Sequence, residues 1–202
     1  MINQVKKQKG LTVKDLIIIG VFTAILSVCS MLGGTIFAVT PTLTFYYPIG
    51  AALLPGPVFL LLLAKVPKKG TLTIIGIILA IIGLMTGMHW AMCFGGLIGA
   101  ALADVIAGAK EYHSKLLNVL AYIVYSLGST GTYFAFFINP DAWASTMLEN
   151  GTTQEYIDAM KGAAAWWVLV IMVVGTVLVA AVSGCIGSKM LKKQFEKAGI
   201  TA

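Results

Sequence analysis

The chain has 202 residues, of which 58% are hydrophobic and only 11% charged, and its mean hydropathy is +0.91. A soluble domain carries about 25% charged residues, so a soluble enzyme is excluded; a disordered chain is excluded too, because such chains are poor in apolar residues. The net charge of +6 comes from 14 basic residues, all of them lysine, whereas nucleic-acid readers favour the bidentate fork of arginine, so no nucleic-acid partner is expected.

A bilayer-crossing helix needs about 20 mostly apolar residues. Six runs qualify, at about 16–39, 47–64, 72–88, 90–109, 116–137 and 164–186. The first follows lysines, as a signal peptide would, but its apolar run is too long and no small-x-small cleavage site ends it, so it reads as a retained helix. The third and fourth total too many residues for one span, and Gly87-Met88-His89 offers a turn between them. The expected architecture is an all-α integral membrane protein, a single transmembrane domain of six helices. A tail covers 1–15, a long loop 139–162 and a second tail 187–202.

Lysine placement tests that count. With six spans, one side of the membrane holds Lys6, Lys7, Lys9 and Lys14, the loop lysines Lys65, Lys68, Lys69, Lys110 and Lys115, and Lys189, Lys192, Lys193 and Lys197. The other side holds Lys161. This asymmetry is a positive-inside signal; it places both termini in the cytoplasm and accounts for the net charge. The connection 40–46 carries no charge, and the long loop carries Asp141, Glu149, Glu155, Asp158 and Lys161. Within that loop, 153–160 reads as a short helix with Thr152 or Thr153 as its N-cap and Glu155 in its first turn. The loop reads equally as a lid or as a solvated connector.

Small residues four apart recur inside the spans: Gly20 with Ala24, Gly76 with Ala80, Gly83 with Gly87, Gly96 with Ala100. Such pairs let helices approach closely. Most serve internal packing, and an exposed pair docks a partner. Aromatic, sulfur and hydroxyl groups collect in the outer half: Tyr46 and Tyr47 after the first span; Met88, His89, Trp90, Met92 and Cys93 at the 3–4 turn; Tyr125, Ser126, Ser129 and Tyr133 along the fifth span; then Asn139 and Trp166. Part of this is an interfacial aromatic belt. Hydroxyls in hydrocarbon bond a carbonyl or a neighbouring helix, or face a cavity, so a binding pocket near the outer surface is expected from these groups.

Asp104 is the carboxylate that falls well inside a span; it reads as a cap or interfacial group, or as an intramembrane functional acid. His89 beside methionines and Cys93 is a weak haem or soft-metal signal. The three cysteines are far apart, so neither a disulfide framework nor a zinc site is suggested. No HExxH, GxSxG or GxxxxGK motif occurs, and no catalytic residue is assigned. No nucleotide site and few buried charges leave the chain without an energy source of its own, so a solute handled here is moved with partners.

The opening Leu11-Thr12-Val13-Lys14-Asp15-Leu16-Ile17-Ile18-Ile19-Gly20-Val21-Phe22-Thr23-Ala24, together with Gly99-Ala100-Ala101-Leu102-Ala103-Asp104 and the six-span layout, resembles the substrate-binding S components of energy-coupling factor (ECF) transporters, in a Trep_Strep or MptD-type subgroup. The resemblance implies a bacterial plasma-membrane subunit with no catalytic activity. Such a subunit captures a vitamin, a vitamin precursor or a metal ion at the outer face; the aromatic and methionine lining of this chain suits a flat, largely apolar ligand, with haem open through His89. It implies a transmembrane coupling subunit and two ATPase subunits as partners, docked through Gly20 and Ala24, where the family typically has two alanines. It implies a pocket at Tyr46, Tyr47, His89, Trp90, Tyr133, Asn139 and Trp166, gated by the connection 40–46. No resident cofactor or metal is implied, and the start Met1-Ile2-Asn3 lacks the histidine of metal-specific members. An intramembrane enzyme and a structural or signalling subunit are the alternatives.

Overall fold

The structure, a computed structural model, describes residues 10–197. Lys6, Lys7 and Lys9, the start Met1-Ile2-Asn3 and the chain beyond 197 lie outside the described residues. The described residues form ten α-helices and no strand. α1 (Val13–Ala38) begins on a capping box, in which Thr12 and Asp15 each bond the other's backbone N–H. α2 (Tyr47–Ala51) and α3 (Gly56–Lys65) follow a single 3-10 turn at Thr44–Tyr46; α4 is Thr71–Met85 and α5 Trp90–Gly108. α6 (Lys115–Leu127) runs through a 3-10 turn into α7 (Gly131–Ile138), and α8 (Pro140–Glu149) and α9 (Gln154–Ala163) precede α10 (Trp166–Lys197).

Four of these runs are long and apolar enough to cross a membrane: Val13–Ala38, Trp90–Gly108, Lys115–Ile138 and Trp166–Lys192. The second expected span is broken: Thr44–Ala51 and Gly56–Lys65 meet at a bend of 44°. The cause is Pro55 and Pro57, which cannot donate to a helix and disfavour helical backbone before them. The third expected span is the 15-residue α4, cut short at Gly87, whose φ of 78° ends the run at the expected turn.

One end of the bundle carries the start of α1, the α3–α4 and α5–α6 loops and the end of α10. There Lys68 Nζ lies 2.6 Å from Asp15, tying α1 to the α3–α4 loop. A core of Ile19, Leu26, Phe59, Leu62, Ile75 and Tyr122 fills this half. At the far end Phe45, Tyr133, Phe136 and Trp143 form a second cluster, with Phe45 and Phe136 rings edge-on at 5.4 Å. The 139–162 segment belongs to that cluster. Trp143 of α8 is buried and donates from Nε1 to Thr132 Oγ1 at 2.9 Å, and Ile157 and Met160 of α9 are fully buried beside it. Thr153 caps α9 as expected. Lys161 sits 2.6 Å from Asp141, and this contact holds the Asp141 carboxyl below its usual range; both groups are solvated, so the pair adds little stability.

The break between Ala51 and Gly56 frees backbone carbonyls from the helical ladder, and among apolar helices each needs another partner. Tyr122 Oη donates to Ala52 O at 2.6 Å, and Ser183 Oγ donates to Leu53 O at 2.6 Å. α6 and α10 thus pin the break from two sides. Tyr122→Phe leaves Ala52 O without a partner, so a loss of about 1–3 kcal/mol is expected, read as a lower midpoint in an SDS unfolding titration of the protein in mixed micelles.

Candidate functional site

A cavity of about 240 Å³ opens between α1, the broken span, α4, α5 and α6. It is bordered by both apolar clusters, through Ala52 and Tyr122 on one side and Tyr47 on the other. Its α1 wall is Ser27, Ser30 and Met31; its opposite wall is Tyr122, Tyr125 and Ser126 of α6 with Ser129 of the 3-10 turn that continues it. These residues recur at three- and four-residue spacing, which places them on one face of each helix. Gly76, Ala80 and Gly83 give α4 a flat surface there, and Met88, Met92, Cys93 and Gly96 complete the ring at the start of α5. No Asp, Glu, Lys, Arg or His lines it. Met31 and Met88 are half exposed at its rim.

The expected pocket residues are distributed differently. Of the seven, Tyr47 lines the cavity, its ring packed over Gly34. Tyr133 is buried against Phe45 at 5.8 Å between ring centres, and Tyr46 packs on the same cluster. His89 is buried but caps α5: its Nδ1 accepts from Ala91 N–H at 3.1 Å, and its ring lies stacked on Trp143 at 6.0 Å. It stands outside the cavity lining, and 240 Å³ falls below the roughly 300–1,000 Å³ of ordinary ligand pockets, too small for a tetrapyrrole. Asn139 is an exposed N-cap of α8, accepting from Ala142 N–H at 3.0 Å. Trp90 and Trp166 are exposed at the far end, Trp166 77% so, as belt residues are. The groups at the 3–4 turn and on the fifth span that do meet are Met88, Met92, Cys93, Tyr125, Ser126 and Ser129. Ser27, Ser30, Met31 and Tyr122 were missed. Their signal is the helical spacing of hydroxyls along one face of α1 and α6, which weighs less in a sequence than a conspicuous histidine or tryptophan.

Asp104 is buried and fully satisfied. Its Oδ2 accepts from Gly70 N–H at 2.7 Å and Thr73 Oγ1 at 2.9 Å, and its Oδ1 from Tyr112 Oη at 2.9 Å. It therefore caps α4 from a neighbouring helix. No cluster of three or more His, Cys, Asp and Glu suited to a metal ion occurs among the described residues. Gly20 and Ala24 both face outward, with nothing within 4 Å of the position a Gly20 Cβ would take.

The fold defines a helical membrane protein with an uncharged cavity among its apolar helices. Residues 13–197 match the model of a family described as hypothetical bacterial integral membrane proteins, Trep_Strep. The chain belongs to that family. No curated protein and no solved structure matches it.

Proposed function

We propose that the protein is the membrane-embedded solute-binding subunit of an ECF-type importer. The observation that carries the reading is the uncharged cavity set against a broken span. Discontinuous helices at membrane depth are tolerated where they line a cavity, and binding sites of transport proteins form at such breaks. A small micronutrient enters at the far end, on the outer face of the plasma membrane. Both termini lie in the cytoplasm, where the lysine-rich end faces the partners. A transmembrane coupling subunit docks on the outward-facing Gly20 and Ala24, and two ATPase subunits supply the energy. An intramembrane hydrolase is disfavoured because His89 lies off the cavity and the hydroxyl protons of Ser126 and Ser129 are held by carbonyls of their own helix.

The experiment is to purify the protein in mild detergent, denature it and identify any released compound by mass spectrometry. Gly96→Leu supplies the control. Gly96 lines the cavity and a Cβ there meets nothing within 4 Å, so the new side chain occupies the cavity without displacing backbone. A compound retained near stoichiometrically by the natural chain is expected to fall at least about tenfold in the variant (about 1.4 kcal/mol of affinity), with the unfolding midpoint kept. Equal retention by both removes the cavity as the binding site.

A further inference from the structure

The hydroxyl groups of the cavity are not neutral in their hydrogen-bonding sense. A hydroxyl has one proton to donate and two lone pairs to accept with. Ser27 Oγ donates to Thr23 O at 2.9 Å, Ser126 Oγ to Tyr122 O at 2.8 Å and Ser129 Oγ to Ser126 O at 2.8 Å. Tyr122 Oη has given its proton to Ala52 O. Four lining hydroxyls have thus committed their protons to backbone carbonyls, and what they have left to offer is acceptor lone pairs. The sulfur atoms of Met31, Met88 and Met92 are weak acceptors as well. Ser30, Tyr47 and Tyr125 bring hydroxyls that serve in either sense.

We infer that the cavity selects an uncharged small molecule that presents N–H or O–H donors along one edge and is apolar elsewhere. This rests on the reading of the cavity as a solute site. An anion meets no cation, and four of the seven lining hydroxyls have no proton left to give it. An organic cation finds acceptors but no carboxylate, and a buried charge without a counter-ion is costly. A neutral donor such as a primary carboxamide on a flat ring gives its N–H groups to the Ser126 and Ser129 lone pairs and leaves no unpaired charge.

The test uses four probes of one shape, equal in their number of non-hydrogen atoms: benzamide, acetophenone, benzoate and benzamidinium. Binding to the full chain in detergent is measured by saturation-transfer NMR titration. Benzamide is expected to bind roughly tenfold more tightly than acetophenone, the worth of one to two neutral hydrogen bonds, and more tightly than either ion. Ser126→Ala with Ser129→Ala is expected to bring the benzamide-to-acetophenone ratio near one. Acetophenone or benzoate binding as well as benzamide overturns the inference, and benzamidinium binding best replaces it with a cation site. If no probe binds, yet the natural chain retains a compound that Gly96→Leu loses, the donor assignment alone falls. If no probe binds and Gly96→Leu changes nothing, the cavity reading falls with it.

Discussion

Gly95→Val is expected to destabilise the bundle severely, while Gly96→Val, one position along, leaves the unfolding midpoint nearly unchanged. A Cβ on Gly95 would lie 2.8 Å from Gly128 O and 3.2 Å from Gly131 Cα. Those are backbone atoms of the α6–α7 junction and have no rotamer to escape into. From the other side, a Cβ on Gly131 would run into Ala91 O and lie 3.3 Å from Gly95 Cα. The two helices touch backbone to backbone, as small residues allow in a membrane. Adding a branched side chain forces the helices apart, at the upper end of the about 1–3 kcal/mol that overpacking costs, or above it. The Gly96 Cβ position is open, so valine there costs little and even gains the few tenths of a kcal/mol by which it outranks glycine as a helix former. An SDS titration of the two variants side by side checks the contrast. Equal midpoints would mean that the α5–α7 contact is not a tight glycine interface.

That pair shows what the sequence does and does not disclose. The apolar runs are legible because hydrocarbon imposes a length and a composition on every crossing helix. Their approximate places, the Gly87 turn and the Thr153 cap follow from local chemistry. The break at Pro55 was written in the sequence as Pro-Gly-Pro, but the apolar residues on both sides hid it. Which glycine packs and which faces space is a property of the partner helix, and Gly95 and Gly96 carry no mark that separates them. The site divides in the same way. Tyrosine, tryptophan and histidine attract notice by type, yet Trp90 and Trp166 are exposed away from the cavity, and His89 and Asn139 are spent on helix caps. The cavity is made by unremarkable serines whose depth and direction depend on how five elements meet. Outward exposure of Gly20 and Ala24 was likewise a tertiary fact.

Asp104→Ala is expected to loosen the lysine-rich end of the bundle without altering the cavity. Gly70, the N-cap of α4, has a φ of 93° and no side chain to cap with. Asp104 reaches across from α5 to accept its N–H, and it holds the Thr73 hydroxyl in the same turn. A carboxylate there also sits at the positive end of the α4 dipole. Tyr112 completes the arrangement from a left-handed backbone, φ 65°, that turns its ring back under α5. Removing the carboxyl strands the Gly70 N–H and the two hydroxyl donors together. Hydrogen bonds to a charged group contribute about 1.5–3 kcal/mol each and do not add in full when they share one acceptor. A loss of about 3 kcal/mol or more is therefore expected, two such bonds' worth, with Tyr112→Phe costing less because two donors stay paired. Asp104→Asn separates the structural role from a proton-carrying one. The amide retains one acceptor oxygen and most of the shape, so it is expected to recover part of the stability and, under the proposed importer reading, to leave ligand binding and uptake by cells expressing the partners unchanged. Uptake abolished in Asp104→Asn, with stability and binding kept, would instead assign Asp104 to proton movement during transport.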